Sequence, residues 1–211
     1  MVQEILGIGV RASLQTVQQE TLMKKILLLG GTSLVGQALL KNKTHKFVAP
    51  KREELDLSKP ESIVKFDYKG FDCLILVAGA GMRHGRKFEF KEKEVDFDYI
   101  QNTIAVNCTG MTMLLKKYLA KNKKGHVVVI GSISVTELQS RNVVYASSKT
   151  YLDRITDLLS NIYTQTTFIK INPCKMQSRF DKNPEFISGK TMAETVWSAI
   201  DNNIKRLDIF E

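Results

Sequence analysis

Tyr145 and Lys149 stand four residues apart, the spacing that puts two side chains on one face of a helix. A phenol alone is a poor proton donor or acceptor near neutrality, with an unperturbed pKa of about 10. An ammonium group one turn away favours the phenolate. At about 4 Å such a pair is worth roughly 1 kcal/mol in bulk water, but about 4 kcal/mol at an effective dielectric of 20. Only the larger figure moves a pKa by about three units, so the chemistry needs a partly closed pocket. Ser132 lies thirteen residues before Tyr145, at the carboxyl end of an apolar run over 126–130 that reads as a buried strand. A Tyr-x-x-x-Lys match alone carries little weight in a chain with six tyrosines and 31 Lys plus Arg. Its setting has to supply the rest.

That setting begins with a short apolar strand over 24–29, which runs into Gly30-Gly31-Thr32-Ser33-Leu34-Val35-Gly36 and then a helix over 37–41. A glycine-rich turn between strand and helix lets backbone N–H groups approach a pyrophosphate at the helix N-terminus. A second strand over 47–50 is followed by Lys51 and Arg52, then by Leu55-Asp56-Leu57, and a helix start at Pro60-Glu61. A third apolar run over 71–79 ends in Ala78-Gly79-Ala80-Gly81, ahead of a highly charged loop over 82–94. Ile100, Ile104, Cys108, Met111, Leu115, Tyr118 and Leu119 give a helical stripe over 98–120, with Asn107 inside it. Asparagine has poor helix propensity, so a tertiary reason for it is expected. The helix bearing Tyr145 continues to about 162; a strand over 167–171 follows, then Asn172-Pro173-Cys174, a helix near Thr191 and a last strand over 207–210.

The combination of glycine-rich strand–turn–helix, strand, Ser132, Tyr145 and Lys149 resembles the short-chain dehydrogenase/reductase family, from about Met23 to the C-terminus. The resemblance implies one doubly wound, Rossmann-like α/β domain over 23–211 with a largely parallel seven-stranded sheet and helices on both faces. It implies interconversion of a carbonyl and an alcohol. Tyr145 would pass the proton, Lys149 would lower the phenol pKa and hold the nicotinamide ribose, Ser132 would orient the carbonyl, and Asn107 would position a water. Gly30, Thr32, Ser33, Leu34, Val35 and Gly36 would face the pyrophosphate, Asp56 and Leu57 the adenine, and Pro173 and Ser178 the carboxamide, while the chain's backbone at Ala78 and Gly79 would approach the cofactor closely. Lys51 and Arg52, where an acidic residue would take the ribose hydroxyl, favour NADP(H) over NAD(H); a solvated charge pair is the plainer alternative. The chain departs from the family in three places. The middle glycine falls on Ser33 or Leu34 according to the spacing convention, asparagines are missing before Ala78-Gly79, and Cys174 replaces the glycine after Pro173.

A net charge of +9 spread along the chain, without a helix-turn-helix, zinc or RNP motif, argues against nucleic acid and leaves room for an anionic small-molecule substrate. Three scattered cysteines match no metal spacing and read as reduced thiols of a cytoplasmic protein, and the three dispersed histidines suggest no metal site. No apolar run is long enough to span a membrane. Residues 1–22 lack the pattern of a secretory signal and form an extension without an assigned role. The apolar faces of the helices over 98–120 and 145–162 imply a homo-oligomer, and the segment over 179–189 stands where relatives carry a substrate lid. Two rivals stay open: a nucleotide-sugar epimerase or dehydratase, and a cofactor-binding sensor without turnover.

Overall fold

Strand β1 (Lys25–Leu29) alternates its side chains between two cores. Ile26 and Leu28 meet Val35, Leu39, Met192 and Val196, whereas Leu27 and Leu29 meet Ile63, Leu114, Leu115 and Leu152. A strand covered on both faces is apolar at every position, which is why this run and β3 (Cys73–Leu76) show no polar alternation. The computed structural model describes residues 23–81, 96–137, 142–177 and 183–209. Within them follow α1 (Leu34–Leu39), β2 (Lys46–Val48), α2 (Pro60–Lys65), β3, α3 (Phe97–Ile104), α4 (Met111–Lys121), β4 (Gly125–Ile130), α5 (Val143–Ile162), β5 (Thr166–Pro173), α6 (Gly189–Asp201) and β6 (Arg206–Ile209). Helices α1 and α6 cover one face of the sheet; α2, α4 and α5 cover the other. None of the described helices is long and apolar enough to cross a membrane.

The strands are all parallel, in the order β2-β1-β3-β4-β5-β6. The order reverses between β1 and β3, and in doubly wound sheets the ligand crevice opens at the carboxyl ends of the strands flanking such a reversal. Among the described residues the sheet has six strands, not the expected seven. Chain length explains the difference. Only residues 49–54 separate β2 from Leu55, whereas a parallel crossover needs about 10–12 residues. The segment folds instead into a turn, in which Glu54 and Leu55 N–H donate to Lys51 O at 3.0 Å and Lys51 N–H donates to Glu54 Oε2 at 2.8 Å. Leu55 and Leu57 still enter the core, but as loop residues.

The single helix expected over 98–120 is broken by a π-helical turn, Ala105–Gly110, between α3 and α4. A side chain on Gly110 would collide with the Leu57 carbonyl oxygen, so this turn presses directly on the loop before α2. The wider turn rotates the helix face. Cys108, Met111, Leu115, Tyr118 and Leu119 are buried as the stripe required, while Ile104 is 41 % exposed. The extension 1–22, the charged loop 82–94, Ser178 and the beginning of the proposed lid segment lie outside the described residues.

Candidate active site

Strand β4 delivers the first catalytic candidate. Gly131 N–H donates to Ile171 O at 2.8 Å, and Asn172 Oδ1 occupies the space a side chain at Gly131 would need. Ser132 follows in extended backbone and caps a short 3-10 turn, Ile133–Val135, with its hydroxyl turned to Ser134. Helix α5 starts at Val143, two residues before Tyr145, so Tyr145 and Lys149 share its first two turns. Lys149 is 5 % exposed. Its ammonium donates to Ile130 O at 3.3 Å and stands 5.7 Å from the centre of the Tyr145 ring. None of the described ion pairs involves it.

Asn107 lies in the π turn and is 1 % exposed. Its Oδ1 accepts from Ala80 N–H at 2.7 Å, and its Nδ2 donates to Ala80 O and to Ser148 Oγ, both at 3.0 Å. Ser148 in turn donates to Tyr145 O at 2.7 Å. Asn107 therefore ties the loop after β3 to the helix that carries Tyr145, with both amide hydrogens used. A Cβ on Gly79 would lie 3.2 Å from Asn107 Oδ1 and 3.4 Å from Lys149 Nζ. The missing side chain lets these two groups converge.

The outer glycines of the loop after β1 are steric necessities. Gly30 has φ +95°, and a Cβ there would lie 2.6 Å from Ala78 N; one on Gly36 would overlap Gly30 O. Between them, Ser33 caps α1. Its hydroxyl donates to Gly30 O at 2.8 Å and accepts from Gly36 N–H at 3.0 Å. Gln37 N–H is taken by Ser33 O at 2.8 Å. Leu34 and Val35 thus keep the first-turn N–H groups that a helix cannot satisfy internally, with Thr32 exposed beside them.

Lys51, Arg52 and Asp56 form a separate cluster beyond β2. Arg52 Nε lies 3.1 Å from Asp56 Oδ2, its side chain 70 % exposed against 11 % for the aspartate. Burial opposes ionisation of Asp56, but hydrogen bonds from the Ser58 hydroxyl and N–H, and then from Arg52 with its charge, hold the carboxyl below its ordinary value. Leu57 packs into the core. Pro173 is buried at the end of β5, and Cys174 is a half-buried free thiol. The fold thus links Asn107, Tyr145, Lys149 and Gly79 through Ser148 and the Gly79 approach, sets Gly30 against Ala78, and places Ser132 two residues beyond Ile130, whose carbonyl holds Lys149. Ser134, Ser148 and Ala80 are site neighbours that sequence reading missed. Ser148, three residues after Tyr145 on the same helix, was the one with a usable signal.

A groove of about 490 Å³ elsewhere, between α5 and the starts of β5 and β6, is lined by Thr156, Asp157, Ser160, Lys170, Lys205 and Arg206 among others. Several of its polar groups are occupied within the fold. Thr156, Ser160 and Thr166 donate to backbone carbonyls, and Lys170 is held by Asp153 and Asp157. It contains none of the catalytic candidates.

The family model described as short chain dehydrogenase matches residues 51–183. A curated relative, the very-long-chain 3-oxoacyl-CoA reductase of Neurospora crassa, is 28 % identical over 123 residues, which cover 57 % of this chain and 35 % of the relative. The matched part thus spans about a third of that protein's length. Among solved structures, a short-chain dehydrogenase from Burkholderia cenocepacia in complex with NADP superposes with TM-score 0.77 at 15 % identity, covering 90 % of this chain and 89 % of that one. A 3-ketoacyl-(acyl-carrier-protein) reductase from Brucella melitensis complexed with NADH gives 0.73 at 15 % identity, covering 88 % and 96 %. A Sphingobium yanoikuyae short-chain dehydrogenase in complex with NADPH gives 0.74 at 15 % identity, covering 88 % and 87 %. At these identities the likeness is one of fold.

Proposed function

Because this chain belongs to the short-chain dehydrogenase family of oxidoreductases, we propose that it interconverts a carbonyl and an alcohol with NADP(H), using Tyr145, Lys149 and Ser132. The observation that carries the reading is Lys149. A buried ammonium whose protein bond is one carbonyl at 3.3 Å is an expensive arrangement. It becomes intelligible if ribose hydroxyls and a phenolate complete its surroundings.

The residues present fit such a cofactor. Gly30 and Gly36 bring the backbone close, Leu34 and Val35 offer N–H groups to phosphate, and Gly79 opens space beside Lys149. When bound, the nicotinamide supplies the hydride. The chain's own work is then at the substrate oxygen. Ser132 donates a hydrogen bond to it, and Tyr145 gives or takes the proton. Lys149, 5.7 Å from the centre of the Tyr145 ring, holds the nicotinamide ribose. Asn107, with its amide committed to Ala80 and Ser148, ties the loop to the helix, and in this reading it also positions a water in the proton path. Arg52, exposed and 3.1 Å from Asp56, would receive a 2′-phosphate together with Lys51, and this supports NADP(H) over NAD(H). Given the activities of the Neurospora and Brucella proteins, a 3-oxoacyl thioester is the first substrate to assay, followed by simple ketones.

The decisive variant is Tyr145→Phe, since the ring still packs and only the hydroxyl is lost. Turnover of the best substrate should fall on the order of 100-fold or more, in line with loss of a general acid, while NADPH affinity stays within about twofold. Turnover as fast as the parent would remove the catalytic assignment. Phe97, Ile104, Tyr151, Leu158 and Ile162 are exposed apolar residues of α3 and α5, and they support a homo-oligomer built on these helices. Sedimentation at tens of micromolar should show a dimer or larger species; a monomer would count against it.

A further inference from the structure

Ser132 can meet a substrate oxygen either as donor or as acceptor, and its neighbours decide which. A serine hydroxyl carries one proton and accepts through two lone pairs. Ser134 supplies two donors to the same oxygen: its N–H lies 3.2 Å from Ser132 Oγ, and its hydroxyl donates to that atom at 2.9 Å. Both acceptor positions of Ser132 are thereby filled. Donation is the one capacity left.

We propose that Ser134 is a positioning residue that fixes Ser132 as a hydrogen-bond donor to the substrate oxygen; this rests on the catalytic reading above. Ser134 is 6 % exposed, so bulk water does not compete for its hydroxyl, whereas Ser132 is only half-buried. The 3-10 turn holds the arrangement in place. Val135 N–H donates to Ser132 O at 3.1 Å, and Thr136 donates to Ile133 O through its N–H and its hydroxyl, each at 3.0 Å. A donor already aimed at the carbonyl stabilises the charge that develops on oxygen and need not reorganise as it develops. Without Ser134, the Ser132 hydroxyl would regain acceptor capacity and divide its time among rotamers.

The test is a double-mutant cycle on Ser132→Ala, Ser134→Ala and the combination, with NADPH and a 3-oxoacyl thioester or the best ketone found. Ser134→Ala should lower kcat about tenfold, leave KM and NADPH affinity within about twofold, and leave the melting temperature unchanged. Ser134→Thr, which keeps the hydroxyl, should recover most of the rate. In the Ser132→Ala background the second substitution should cost nothing further, because a group acting through Ser132 has nothing left to position. An equal loss in both backgrounds would overturn the proposal and make Ser134 a structural residue; so would a harmless Ser134→Ala beside a damaging Ser132→Ala. A harmless Ser132→Ala, or a parent that reduces no substrate, would instead overturn the catalytic reading beneath it. If the methyl of Ser134→Thr lowers the melting temperature, the cycle still decides.

Discussion

Lys149 and Lys170 are buried to the same degree, each 5 % exposed, yet the fold surrounds them differently. Lys170, on β5, reaches two carboxylates of α5, Asp153 at 3.1 Å and Asp157 at 2.6 Å. The network continues through Arg206 to Asp153 and Asp208, and Asn172 donates to Asp208 at 2.8 Å. Burial opposes the Asp208 charge, but hydrogen bonds from Arg206 and Asn172, with the charges of Arg206 and Lys170, hold its carboxyl below the ordinary value. Lys149, on α5 itself, has one backbone carbonyl. The lesson is that burial of a charge does not mark a functional site. The incomplete partner set of Lys149 is what supports the proposal for it.

The comparison breaks most readily at Lys170. Lys170→Met should destabilise the fold by about 3–5 kcal/mol, the usual cost of leaving a buried pair without one partner, read as a drop in unfolding free energy in urea. Lys149→Met leaves no carboxylate behind and should change stability by no more than about 1 kcal/mol. If both variants lose stability equally, the contrast is wrong. A smaller effect tests a third titratable group, His126 on β4. Burial and then the Lys24 charge lower its pKa from 6.5, outweighing the Asn203 hydrogen bond and Asp201. Between that lowered value and 6.5 the unfolded chain binds the proton and the folded one does not, so stability falls as pH drops below 6.5 and is fully present above it. His45 contributes with the same sign, chiefly through burial. Melting curves from pH 7.5 to 5.5 should show this decline, shallower in His126→Gln; an unchanged slope in that variant would exclude His126 as a cause.

Much of this was legible in the chain because it is local. The apolar runs of β1 and β3 needed no partner to be read as doubly covered strands, and the four-residue spacing of Tyr145 and Lys149 survives in α5. What was not legible depends on distant contacts. The π turn forms where Gly110 meets the Leu57 carbonyl, far away in sequence, and no helical stripe encodes that meeting. Lys170 looked like any strand lysine until α5 brought Asp153 and Asp157 over it. The short link 49–54 between β2 and Leu55 leaves no room for a crossover there, which fits the six strands found among the described residues where the resemblance implied seven.

The central claim is that the space beside Lys149 is built for the ribose of an NADP cofactor, and calorimetric titration tests it most directly. The parent should bind NADPH more tightly than NADH, and Lys149→Met should lose at least about tenfold in NADPH affinity with its melting temperature in the absence of cofactor preserved. Equal NADPH affinity in parent and Lys149→Met would contradict the account.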